Sequence, residues 1–318
     1  MEATSLASVG NVMFQNIFFP ICFIIIIGIL FRRIGLINGD FIKYATQLMH
    51  RILLPIFFFW IIANEKNSEN FDWRVYLAAI FSILIIYLIA LILIRFFQTS
   101  DKLSFIFTNS CYRFNLFFGL SLIFYLFAEN VMRKFCILLL FLIPFTDLLT
   151  CIGAVTILKN FKINNLYIRQ SFRLIFLNPI LLAGMLGLLS SSLNISFPVF
   201  LNKTFEIISS IIFPLALIIT GGALIPPRIK SLSKLSLVGA GLKTILMPIL
   251  VYLFLQLFSP SLEAFYTVVL FFALPFMIDR RIVIAEHNIQ QDNTSSFSTI
   301  SAFVSFFSIS FWCYFLLK

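Results

Sequence analysis

Charge is what this chain has least of. Charged residues make up 11% of its 318 residues, against about 25% in soluble domains. Acidic residues are the scarcer kind, 13 against 23 Lys and Arg, and with two histidines the formal net charge is +10. Long polar stretches are also missing, which excludes an inserted soluble domain. At 61% hydrophobic residues and a mean hydropathy of +1.04, no aqueous fold could cover so much apolar surface, and lipid is the expected solvent. The positive charge sits mostly in short loops and at span ends, where it sets topology and meets anionic headgroups; nucleic acid is not an expected partner. The five cysteines lie in or beside apolar stretches and form no C-x-x-C pair, so neither a disulfide framework nor a zinc site is expected. No Walker loop, metal-ligand cluster or nucleophile elbow occurs, which speaks against an ATP-driven pump and leaves no cofactor to expect. The N-terminus lacks a basic region and a small-residue cleavage site, so no cleaved signal peptide is expected. The 42 phenylalanines read as a composition bias.

Ten apolar segments are long enough to cross a bilayer: roughly 16–34, 42–63, 75–97, 103–127, 135–158, 171–190, 206–225, 235–258, 263–286 and 297–317. Pro20, Gly28 and Pro55 recur as Pro179, Gly187 and Pro214, each 159 residues further on, half the chain length. Five spans per half is an odd number, so the second copy must be inverted relative to the first. The expected fold is therefore an all-α integral membrane protein of about ten helices in two inverted five-helix repeats, 1–160 and 161–318, joined by the polar stretch Lys159 to Arg173. Such repeats build many secondary transporters, with the substrate held near the bilayer midplane where the repeats meet.

Lys and Arg are distributed unevenly. Fourteen fall at the ends of odd-numbered spans and in the loops after them, among them Arg32, Arg33, Lys159, Lys162 and Arg228; six fall on the other side. The excess belongs in the cytoplasm, which puts both termini outside a cell membrane, the bacterial inner membrane being expected.

Ionisable residues inside a bilayer are costly and mark function. Arg113 lies mid-span in Asn109-Ser110-Cys111-Tyr112-Arg113-Phe114-Asn115, with Gly119 following. Two amides, an arginine and a glycine this close suit a broken helix lining a wet cavity. Arg113 either meets a substrate or is neutralised by an internal carboxylate such as Asp147. The equivalent place in span nine holds Pro275, which removes a backbone donor and frees a carbonyl one turn back; it is either the second break or an ordinary kink. The two breaks would face each other near the midplane. Asp147, after Pro144 in span five, either takes up a coupling proton or sodium ion or pairs with Arg113 or Lys243. Lys243, beside Pro248 in span eight, is either a weaker candidate of the same kind or snorkels to the cytoplasmic interface, as His50 and Arg51 would. Thr220-Gly221-Gly222 beside Pro214 allows close helix approach.

One enzyme-like pattern stands apart. His287-x4-Asp292 matches the base and its aspartate in glycerolipid acyltransferases, without a downstream phosphate-binding segment. A two-residue pattern of this kind arises by chance; read as function it gives the alternative, an intramembrane acyl- or glycosyltransferase, which His287→Ala would test.

The chain resembles the auxin efflux carrier family in its bacterial permease branch. The resemblance rests on Gly28-Ile29-Leu30-Phe31-Arg32-Arg33-Ile34-Gly35-Leu36-Ile37, Leu53-Leu54-Pro55, Tyr112-Arg113-Phe114-Asn115 with Gly119-Leu120, Asn178-Pro179, Phe213-Pro214-Leu215 through Gly221-Gly222-Ala223-Leu224, Ala273-Leu274-Pro275 and Ala285-Glu286. It implies that spans four and nine break and cross at the binding site, with Asn115 and Pro275 at the crossing. It also implies transport of small organic anions, malate and malonate among bacterial relatives and auxin in plants. Two departures touch the site: Ser121 stands where many members have proline, and Asp279-Arg280-Arg281 where small polar residues are usual. The expected function is a permease that moves a small organic anion by alternating access. Asn109, Arg113, Asn115, Gly119 and Pro275 would bind substrate, and Asp147 is the coupling-ion candidate. The expected partners are the anion, the bilayer and a coupling proton or sodium ion, and a homodimer is an allowed assembly.

Overall fold

The computed structural model describes residues 18–64, 72–158, 165–224, 234–258, 260–277 and 291–316, with the backbone alone for 165, 166, 168, 174 and 291–295. Among them no strand occurs. The helices are α1 (Phe19–Arg33), α2 (Gly39–Ala63), α3 (Trp73–Phe97), α4 (Asp101–Tyr112), α5 (Leu116–Leu126), α6 (Glu129–Ile157), α7 (Asn165–Phe176), α8 (Pro179–Ser192), α9 (Val199–Ala223), α10 (Lys234–Phe258), α11 (Leu262–Phe272) and α12 (Gln291–Leu316). Among the described residues six helical stretches, in α2, α3, α6, α9, α10 and α12, are long and apolar enough to cross a membrane. The outward faces of the helices, α1 and α8 included, carry large apolar side chains such as Phe23, Leu88, Ile92, Met185, Leu257 and Phe303, as a lipid-facing surface requires.

Proline and asparagine punctuate these helices. Pro55 and Pro248 each lack the N–H that would close a turn, and their rings crowd the carbonyl four residues back. In both helices a π turn precedes the proline and widens the ladder, Met49–Leu53 in α2 and Leu242–Leu246 in α10. The Thr244 carbonyl, four residues before Pro248, takes a hydrogen bond from Ser308 Oγ on α12. The apolar part of span six starts at Pro179, later than the expected 171. Asn178 caps α8 by accepting from the Ile180 N–H at 3.1 Å, and Pro179 occupies the first turn, where its missing donor costs nothing. α7 is thereby cut off as a separate amphipathic helix within the expected linker; its Tyr167 hydroxyl donates to the Cys151 carbonyl of α6 at 3.0 Å.

Two close helix crossings hold the bundle. α1 lies on α9 where a Cβ on Gly28 would come within 2.5 Å of the Ile218 carbonyl oxygen, and α8 lies on α2 where a Cβ on Gly187 would come within 2.9 Å of the Phe59 carbonyl oxygen. Only glycine permits backbones to approach so closely. The residue numbers carry a relation: Gly187 and Ile218 each follow Gly28 and Phe59 by 159 positions.

Candidate functional site

The centre of the molecule is where two helices are interrupted. α4 ends at Tyr112, and Arg113 is extended at φ −69°, ψ 152°. Nothing in 113–115 forbids helix, since neither glycine nor proline occurs there. Asn115 starts α5 instead, its side chain accepting from the Phe118 N–H at 3.1 Å. On the other side α11 ends at Phe272, because Pro275 can neither donate nor tolerate a helical residue before it. The two interruptions meet: the Asn115 N–H donates to the Pro275 carbonyl at 3.1 Å. Gly119 lets α5 close on this junction, since a Cβ there would come within 2.9 Å of the Phe271 ring and 3.0 Å of Leu274. Phe114 packs on Phe271 with ring centres 4.7 Å apart.

The carbonyls of the second break are bonded rather than open. The Phe271 carbonyl, four residues before Pro275, accepts from the Leu274 N–H at 3.3 Å in a tight turn. Ser301 on α12 accepts from the Phe276 N–H at 2.7 Å, and Ser298 donates to the Phe276 carbonyl at 3.2 Å. A buried backbone group must find some partner, and here α12 supplies two.

Beside the crossing lies a buried polar network. Arg113 Nη2 is 2.9 Å from Asp147 Oδ1 on α6, and Arg113 Nη1 donates to Thr150 Oγ1 at 2.8 Å. The two charged side chains are 11% and 7% exposed, so the pair is held in low dielectric and each charge needs the other. Thr150 Oγ1 is also 2.8 Å from Asn109 Oδ1 and 2.8 Å from the Tyr112 hydroxyl. The Tyr112 hydroxyl in turn donates to Asn109 Oδ1 at 2.9 Å, while Asn109 Nδ2 donates to the Phe105 carbonyl.

The residues expected from the sequence thus fall into two adjoining groups. Asn109, Arg113 and Asp147 share the network; Asn115, Gly119 and Pro275 make the crossing; the turn 113–115 joins them. Tyr112 and Thr150 were missed. Thr150 was findable, since it stands three residues after Asp147 and so on the same helix face. Lys243 does not snorkel. It is 0% exposed, and its Nζ donates to the Phe272 carbonyl at 3.1 Å. His50 packs its ring 5.0 Å from that of Phe117, while Arg51 is exposed. Ser121 is buried, and its hydroxyl donates back to the Phe117 carbonyl at 2.8 Å. Asp279, Arg280, Arg281, Glu286 and His287 lie outside the described residues, as does the side chain of Asp292. Among the described residues no group of three His, Cys, Asp or Glu could hold a metal ion.

The family model for membrane transport protein, the domain of the auxin efflux carriers, matches residues 146–313. That is a little over half the chain, and it includes Asp147, Lys243 and Pro275. A search of curated proteins gave no match.

Proposed function

The chain belongs to the membrane transport protein family of the auxin efflux carriers, and we propose that it is a secondary transporter moving a small organic anion by alternating access. It is a multi-pass membrane protein, and a transported small molecule follows from the family. The anion, the coupling and the two-repeat build are our reading. In it, residues 1–160 and 161–318 are inverted repeats of five passages each, α4–α5 forming the fourth and α11 with its extension the ninth. Two observations support the repeat: the glycine crossings Gly28 on Ile218 and Gly187 on Phe59, related by 159 positions, and the meeting of two interrupted helices at Asn115 and Pro275. In our reading the protein lies in a cell membrane, the bacterial inner membrane, with both termini outside.

The Arg113–Asp147 pair carries the mechanism. A guanidinium bonded to a carboxylate at 2.9 Å is offered the same chemistry by a substrate carboxylate. Protonation of Asp147 removes the competitor and leaves Arg113 a buried cation in need of an anion. The incoming anion then binds Arg113, with Asn109 and Tyr112 as nearby hydrogen-bonding groups, and proton and anion cross together when the repeats rock about the crossing. Loss of the proton to the far side lets Asp147 displace the anion.

The test is uptake of labelled acetate, malonate and malate into proteoliposomes with and without an inward proton gradient. Saturable uptake of one anion, stimulated by the gradient in wild type and indifferent to it in Asp147→Asn, is expected. Saturable uptake that sodium but not protons stimulates would move the coupling role away from Asp147. Absence of uptake for all three would contradict the anion reading.

A further inference from the structure

Lys243 is the one fully buried lysine or arginine side chain among the described residues, and the transport mechanism above does not use it. An ammonium group out of water costs several kcal/mol unless charge or hydrogen bonds offset it. No carboxylate lies within salt-bridge distance of it among the described residues. What surrounds its Nζ is the Phe272 carbonyl at 3.1 Å, Met247 Sδ at 3.6 Å and the face of the Phe272 ring, 5.4 Å to its centre. Phe272 is the last residue of α11. Among the described residues the counter-charge is the negative end of that helix: its dipole and the Phe272 carbonyl attract a cation, and the ring adds a cation–π contact.

Place matters as much as charge. Three residues beyond Phe272, the Pro275 carbonyl takes the Asn115 N–H, and the next residue, Phe276, is held at its N–H by Ser301 and at its carbonyl by Ser298. The irregular stretch from Phe272 to Phe276 is thus pinned at both ends, by Lys243 at one and by α12 at the other. Lys243 stands on the π turn of α10, whose freed Thr244 carbonyl is itself tied to α12 through Ser308. A lysine on a regular α10 would sit at a different angle to α11, since a π turn rotates every residue beyond it.

We propose that Lys243 is a positioning residue: by capping the cut end of α11 it sets where the Pro275 carbonyl stands, and so holds the helix crossing in register. Its bearing on transport rests on the crossing being the transport site; its bearing on the crossing itself does not. The direct readout is amide hydrogen exchange of the segment 113–118 in the full chain in lipid nanodiscs, because the Asn115 N–H is the donor to Pro275. Lys243→Met keeps the volume and loses the donor and the charge. The expected result is exchange of 113–118 faster by about tenfold, with the helical segments of α3 and α9 unchanged, as local opening requires. Ser301→Ala releases the other pin and should speed the same segment. Where a carboxylate flux is measurable, Lys243→Met should lower the maximal rate more than it raises KM. Unchanged exchange at 113–118 in a folded Lys243→Met protein overturns the proposal, as does exchange raised equally throughout. If Lys243→Met does not fold, Ser301→Ala decides: exchange unchanged at 113–118 overturns it. Faster exchange at 113–118 in Lys243→Met, with no carboxylate flux in the wild type, would keep Lys243 as the pin and sink the anion reading instead.

Discussion

Arg113 and Asp147 are each expensive alone and tolerable together. Taking away one member of a buried pair strands the other, which costs about 3–5 kcal/mol. Arg113→Ala should therefore lower the thermal midpoint of the purified protein, and so should Asp147→Ala. The double variant, with no stranded charge, should recover most of that loss. Anion flux should fail in Arg113→Ala and in the double variant alike. Recovery of flux in the double variant would make the pair structural only. Asn115 carries a smaller, separable term: Asn115→Ala loses the cap on Phe118 and should cost about 1 kcal/mol, while its backbone bond to Pro275 survives. At this scale the sequence was informative about residue type and poor about partners. Arg113 and Asp147 announce themselves as charges in lipid. That they bond each other, through a shell that includes Thr150 and Tyr112, depends on how α4 and α6 pack, and no local pattern encodes that. Lys243 was misjudged for the same reason: its partner is a backbone carbonyl 29 residues away, which has no residue type to read.

Helix interruptions divide into those written locally and those imposed. The α11 break, the α8 start and the two π turns all stand beside a proline, and all were open to inference from Pro275, Pro179, Pro55 and Pro248. The α4–α5 break has no proline or glycine at 113–115; only its run of polar residues hints at it, and the Pro275 carbonyl across the crossing holds it. A prediction follows from the π turn in α10. Pro248→Ala restores an N–H and removes the ring from the Thr244 carbonyl, so the Ser308 bond loses its rationale and α10 can relax to regular helix. Exchange protection across 242–248 should rise, and Lys243 should shift relative to Phe272, giving a lower transport rate at unchanged folded yield. Basic side chains also close other helix ends: Arg133 donates to the Ile61 carbonyl at 2.9 Å and Arg74 to the Phe258 carbonyl at 3.2 Å. Cations at helix C-termini are favourable for the reason that makes Lys243 tolerable.

For the molecule as a whole, the two glycine crossings are the strongest link between sequence and architecture. A Cβ at Gly28 or at Gly187 would meet a carbonyl oxygen of the opposing helix. Gly28→Ala and Gly187→Ala should each destabilise by about 1–3 kcal/mol, Gly28→Ala the more because its contact is tighter. A thermal midpoint unmoved in either variant would weaken the case for matched crossings. The membrane class and six long apolar helices were legible among the described residues, since apolar length alone reports them. The start of span six was not: it begins at Pro179 rather than at the first apolar residue. Orientation rests on the uneven placement of Lys and Arg, and a tag at either terminus should be reached by an impermeant reagent from outside the cell.

Carrier action is the central claim, and counterflow measures it most directly. Proteoliposomes are loaded with an unlabelled anion that the protein takes up and diluted into a trace of the labelled form. A carrier that exposes one site alternately must accumulate label transiently above its equilibrium level, and Arg113→Ala must abolish the overshoot. Label that rises only to equilibrium, in wild type as in the variant, would contradict alternating access and indicate a passive pore.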